Sequence, residues 1–129
     1  DDTVLDIGCG DARVLCHVYR AVGARGVGVE LKGVWAEKAR SRVREEGLED
    51  HITILQGDVM ALGTLPSCSI VYLFMTQICL DQLRAWLWKA LPEGTRIVTC
   101  MSQFQGEEPT SVLQVPGLGV MGLFSLYEI

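Results

Sequence analysis

The stretch VLDIGCGDAR, Val4 to Arg13, ends an apolar run in one acid, passes through two glycines and meets a second acid at once. Gly8 and Gly10 permit a positive φ and carry no side chain that would hold a ligand away, while a helix starting just beyond them offers unpaired N–H groups. Two later acids extend the pattern. Glu30 lies about 20 residues past the turn, the separation at which a carboxylate accepts hydrogen bonds from ribose hydroxyls. Asp58 closes a third apolar run and is placed to accept from an adenine amino group. Each acid alone reads as an ordinary loop or cap residue. Asp6, Glu30 and Asp58 together with Gly8 and Gly10, all at carboxyl ends of neighbouring strands, point to an adenosine-binding edge.

The elements that position these residues follow from periodicity. Thr3 to Ile7 reads as a short buried strand, and Ala12 to Val22 as a helix with Val14, Leu15, Val18 and Val22 at helical spacing. Gly26 to Leu31 is a second strand. Val34 to Glu46 is a helix with Trp35, Ala39 and Val43 on one face, charged residues elsewhere and Gly47 as its C-cap. His51 to Leu55 is a third strand running into Gly57 and Asp58, and Ser69 to Met75 a fourth. Leu80 to Leu91 is a helix presenting Leu80, Leu83, Leu87 and Leu91, and Arg96 to Met101 a fifth strand. Ser102 to Gly117 reads as a long polar loop, and Gly119 to Ile129 as a final antiparallel strand. Repeated strand–helix–strand units imply parallel pairing with right-handed crossovers. The expected class is α/β: a Rossmann-like doubly wound sheet in three α/β/α layers, mostly parallel with an antiparallel C-terminal strand, forming one domain over residues 1–129. The chain opens almost directly on a strand, so a segment preceding it is expected to be missing.

An adenosine occurs in nicotinamide dinucleotides and in S-adenosylmethionine. The dinucleotide fingerprint asks for Gly or Ala at its sixth position, where this chain has Arg13, and no Tyr-x-x-x-Lys follows Tyr19, Tyr72 or Tyr127. The nicotinamide reading is the weaker of the two. A phosphate-binding loop of the Gly-x-x-x-x-Gly-Lys-Ser/Thr type is absent.

Composition narrows the partners. The chain has 129 residues, 49% of them hydrophobic, enough for one sizeable core. Its formal net charge of −5 works against a broad nucleic-acid footprint, which Lys and Arg would have to supply, and suits a basic partner better. Five cysteines, none in a C-x-x-C pair, read as reduced thiols of an intracellular protein, cytoplasmic or mitochondrial. No stretch has the length of a membrane span. His17 and His51 lack partners at metal spacing, so no metal is expected.

With these residues in view, the sequence closely resembles the class I, seven-strand S-adenosylmethionine-dependent methyltransferases. VLDIGCGDAR resembles their first motif, GVGVE their second-strand acid, GDV (Gly57 to Val59) their adenine-side motif, and LPEGTRIV their turn into strand five. The resemblance implies that Asp6, Gly8, Gly10 and Asp11 surround the methionine part of S-adenosyl-L-methionine, with Cys9 a small residue inside the turn. It further implies Glu30 at the ribose, Asp58 at the adenine, and Leu31 and Val59 as apolar walls. GCGDAR, GVGVEL, the apolar run from Val71 and the ending LFSLYEI are similar to the small lysine methyltransferases of mitochondrial carrier and ATP-synthase subunits. The implied acceptor is a protein lysine side chain.

Methyl transfer from a sulfonium asks the protein mainly for orientation and desolvation, so no catalytic base is assigned. Phe74, Met75, Thr76 and Gln77, at the end of strand four, are the residues expected nearest the methyl group, with Phe74 counted among the cofactor contacts. The other readings of the same residues are a structural or interaction subunit of methyltransferase fold and a small-molecule methyltransferase. The sequence carries no signature of oligomeric state.

Overall fold

The computed structural model describes residues 1–129, which form two compact units, Asp1–Ser69 and Ile70–Ile129. In the first unit, β1 (Thr3–Ile7), β2 (Arg25–Glu30) and β3 (Ile52–Gln56) alternate with α1 (Arg13–Val22) and α2 (Gly33–Glu45). The strand order is β3-β2-β1, all parallel, with Ile7 opposite Val29 and Glu30 opposite Gln56. Val4, Leu5, Asp6 and Ile7 are all buried, the near-continuous burial of a parallel strand covered on both faces.

Two helix faces differ from expectation. Leu15 and Cys16 form the buried stripe of α1, whereas Val22 is 76% exposed, because the helix stops there on a left-handed Gly23 whose N–H donates to Tyr19 O at 2.7 Å. The helix also begins one residue late, since fully buried Ala12 takes φ 64°. In α2 the buried stripe is Ala36, Ala39 and Val43. A face led by two alanines leaves no depth for an indole, so Trp35 lies on its flank, with the Lys38 ammonium 4.5 Å from the ring centroid.

The second unit holds β4 (Ile70–Phe74), α3 (Gln77–Ala90), β5 (Arg96–Cys100), β6 (Ser111–Gln114) and β7 (Leu123–Glu128), in the strand order β4-β5-β7-β6. β4 and β5 are parallel with Phe74 opposite Cys100; β7 runs antiparallel to both β5 and β6. The expected leucine stripe of α3 is buried at Leu80, Leu83, Leu87 and Leu91. The helix starts three residues early because the Thr76 hydroxyl caps it, accepting from Cys79 N at 3.4 Å. β5 ends at Cys100 because Met101 turns to φ 76° and Ser102 N donates to Cys100 O at 3.0 Å. Trp88, Phe104 and Tyr127 stack edge-on in a cluster, and the Tyr127 hydroxyl accepts from Phe104 N at 3.1 Å.

The α/β class, the mostly parallel pairing and the antiparallel C-terminal strand are as the sequence predicts. The long loop is not. Ser111–Gln114 within it is a strand, and Gly119–Gly122 is a 3₁₀ turn, so the last strand starts at Leu123. No helix is long and apolar enough to cross a membrane.

Candidate functional site

β1 delivers the chain into the turn Gly8-Cys9-Gly10, where Gly8 (φ 78°) and Gly10 (φ 57°) both adopt left-handed backbone. A β-carbon placed on either would meet no atom within 4 Å. Their lack of side chains is therefore required by the backbone and leaves open ground above the turn, rather than answering a packing demand.

Hydrogen bonds tie this turn to the ends of two other strands. Gly8 N and Cys9 N both donate to Val29 O, at 2.8 and 3.2 Å, and Gly10 N donates to Glu30 Oε1 at 3.1 Å. The other Glu30 oxygen, Oε2, accepts from Lys32 N at 2.9 Å, and Glu30 O accepts from Gly57 N at 2.9 Å. One buried glutamate thus joins the carboxyl ends of β1, β2 and β3 into a single rim. Asp58 follows Gly57 and caps the short turn Val59–Ala61, its Oδ1 accepting from Met60 N at 2.9 Å. Asp58 is exposed, and Oδ2 accepts no bond within the protein.

The apolar residues of the rim divide in two. Val59 is buried, whereas Leu31 is 65% exposed directly after Glu30 and Met60 is 48% exposed beside Asp58. Met60 is a residue the sequence reading missed, although it directly follows the GDV stretch.

Electrostatics set Asp6 apart. It is 3% exposed and accepts no hydrogen bond, and burial first, then the Glu30 charge, raise its pKa to about 7. The same burial, helped by Asp6 and Glu30, pushes the Cys9 thiol to about 12, so Cys9 packs as a small unreactive side chain. It packs tightly: a β-carbon on Gly28 would fall 2.7 Å from Cys9 Sγ.

Asp11 is committed to cations. Its carboxylate accepts from Arg13 Nε and Nη2 at 3.0 and 2.9 Å and from Arg42 Nη2 at 3.0 Å, while Arg42 Nε donates to Asp11 O at 3.1 Å. Hydrogen bonding by Arg13, ahead of Arg42, holds this carboxyl well below the usual carboxylate range. Arg42 reads from sequence as decoration of a polar helix face, and a pairing across 31 positions leaves no periodic signal. His51 stacks on Tyr19 with ring centroids 4.4 Å apart.

Asp6, Gly8, Cys9, Gly10, Asp11, Glu30, Leu31, Asp58 and Val59 all belong to the first unit, and the bonds above bring the turn, Glu30 and the Gly57–Asp58 corner together. Phe74 belongs to the second unit, where it ends β4 and is 45% exposed. Acceptor oxygens on Glu30 and Asp58, exposed apolar side chains beside both and an open glycine floor suit a ligand that combines hydroxyl donors, an amino donor and a flat ring. A nucleoside has that chemistry.

The chain is similar to several known proteins. The ANTKMT methyltransferase domain family matches residues 6–111. A protein-lysine N-methyltransferase of Saccharolobus islandicus is 27% identical over 130 residues, covering 100% of this chain and 80% of that protein. The methyltransferase GfsG of Streptomyces halstedii is 41% identical over 59 residues, 46% of this chain and 21% of the relative. Among solved structures, an RNA methyltransferase from Salinibacter ruber in complex with S-adenosyl-L-homocysteine superposes with a TM-score of 0.90. Its identity is 27%, over 99% of this chain and 80% of that one.

Proposed function

The chain belongs to the ANTKMT methyltransferase domain family, which makes it an S-adenosylmethionine-dependent methyltransferase, and we propose that its acceptor is the side-chain amine of a protein lysine. The observation that carries the cofactor assignment is the rim itself: Glu30 and Asp58 beside an open turn at Gly8 and Gly10. Lysine as acceptor is supported by the archaeal protein-lysine N-methyltransferase that aligns with the whole chain. A net charge of −5 also favours a basic partner.

When bound, S-adenosylmethionine supplies a methyl group on a cationic sulfur for displacement by an amine nitrogen. The residues contribute binding and orientation. Each Glu30 oxygen accepts one backbone N–H and keeps a lone pair for a ribose hydroxyl. The free Oδ2 of Asp58 would accept from the adenine amino group, and Leu31 and Val59 would flank the ring. Asp6 and Glu30 concentrate negative charge in a buried place, which favours a cation over a neutral ligand. Asp11 acts at one remove, fixing the start of α1 through Arg42.

Calorimetric titration with S-adenosylmethionine and its demethylated product tests this, with Glu30→Ala and Asp58→Ala as controls. Micromolar binding is expected, weakened about tenfold or more by each substitution, in line with about 1.5 kcal/mol for a hydrogen bond to a charged group. Transfer of labelled methyl to lysine-containing proteins, read out as methyl-lysine after hydrolysis, tests the acceptor. A folded chain that binds neither compound overturns the cofactor site. Label entering RNA instead would favour the second acceptor class, which the Salinibacter relative carries and the net charge opposes.

A further inference from the structure

From Pro109 to Tyr127 the chain runs without a single charged side chain, although it carries 11 Lys and Arg and 16 Asp and Glu overall. β6 lies within this segment. It pairs with β7 along one edge and ends the strand order, so its other edge has no strand against it. All four of its residues are exposed. Val112 and Leu113, 52% and 62% exposed, alternate across the strand and leave an apolar side chain on each face. The connection to β7, closed by Val115 N donating to Gly122 O at 2.8 Å, adds Leu118, Val120 and Met121, each about half exposed or more.

An open strand edge invites pairing with another strand, and native edges are usually guarded by charge, proline or a bulge. Here Pro109 and Pro116 bracket the edge and limit pairing to the residues between them, but no charge guards it. We propose that this edge is covered by a second copy of the same chain, β6 lying antiparallel on β6 about a two-fold axis. A two-fold contact sets a surface against itself, so any charge on it meets its like. In a chain of net charge −5, an uncharged segment is the surface that two copies can share without that repulsion. The partner strand must also be short, extended and apolar on both faces, which describes β6. A lipid surface fits less well, because Glu107, Glu108 and Glu128 flank the segment and oppose anionic headgroups.

A charge cross tests the proposal. The wild-type chain is expected to sediment as a dimer whose dissociation is measurable by dilution. Leu113→Glu and Leu113→Lys should each raise the dissociation constant by at least about tenfold. Mixed in equal amounts, the two variants should restore the dimer, a rescue that requires this face to meet itself. Circular dichroism melts check that each variant is folded; if either is not, Val112→Glu and Val112→Lys repeat the cross from the opposite face of the strand. A wild-type chain that stays monomeric at every concentration overturns the proposal. So does a dimer indifferent to Leu113→Glu, or a monomer that adsorbs to neutral phosphatidylcholine vesicles through Leu113. Cofactor titration of the same variants should match wild type, since Glu30 and Asp58 are untouched.

Discussion

Replacing Asp6 by Asn should make the protein more stable, by an amount that grows with pH. Asp6 is 3% exposed, accepts no hydrogen bond and is raised from 3.8 to about 7, by burial first and by Glu30 second. Between those two values the unfolded chain gives up its proton while the folded chain keeps it. Folding stability therefore falls as pH rises through this window and levels off above 7. The full penalty is the difference of the two values, 7 − 3.8, at about 1.4 kcal/mol for each pH unit, or about 4 kcal/mol. At pH 5 it has reached about 2 kcal/mol, and at pH 8 it is essentially complete. Asn keeps the shape of the side chain and cannot ionise. Urea unfolding of wild type and Asp6→Asn at several pH values from 5 to 9 should show the variant ahead by those margins, with unchanged m-values. A variant less stable than wild type at pH 8, or a difference that does not vary with pH, would refute the reasoning. Either result would mean that the folded chain holds Asp6 ionised without penalty.

Gly28→Ala should cost about 1–3 kcal/mol, because the new β-carbon would lie 2.7 Å from Cys9 Sγ and 2.9 Å from Ile54 Cδ1, both buried. Adding Cys9→Ala to the same chain should recover part of the loss in urea midpoint, and no recovery would show that Ile54 sets the limit. Alkylation followed by mass spectrometry at pH 8 should modify exposed Cys79 first. Cys9 and Cys16, both pushed up to about 12 chiefly by burial, should react only after denaturant is added; equal rates at Cys9 and Cys79 would contradict the burial seen here.

The parts legible from sequence are those whose physics is local along the chain. Gly8 and Gly10 announce left-handed backbone by their residue type, and Glu30 falls at the end of a strand that periodicity alone delimits. Leu80, Leu83, Leu87 and Leu91 declare one helix face by spacing. What stayed hidden depends on partners distant in sequence or on the absence of any partner. β6 is exposed on both faces, so it lacks the alternation by which a strand is recognised. Trp35 reads as core by its hydrophobicity, yet the choice between it and Ala36 was made by how closely α2 sits. The Arg42–Asp11 pair joins α2 to the start of α1 and has no trace in either segment alone.

The Asp6–Glu30 pair shows why the site and the fold pull in different directions. Glu30 is satisfied by Gly10 N and Lys32 N, so removing it would break the rim that holds three strand ends together. Asp6 has no such structural employment. It destabilises the folded chain at neutral pH through its own burial and its neighbour's charge. A fold under selection for stability alone would replace it with an apolar residue, such as the buried Val4 two positions back on the same face of β1. A cation bound near the pair would reverse the balance, favouring ionisation of Asp6 instead of opposing it. On the proposed reading that cation is a sulfonium, and the neutral thioether left after methyl transfer no longer offers the charge. The Asp6 carboxyl that weakens the empty fold, with Glu30 beside it, would then favour cofactor over product, which gives a physical reason for keeping a costly acid near the end of an apolar strand.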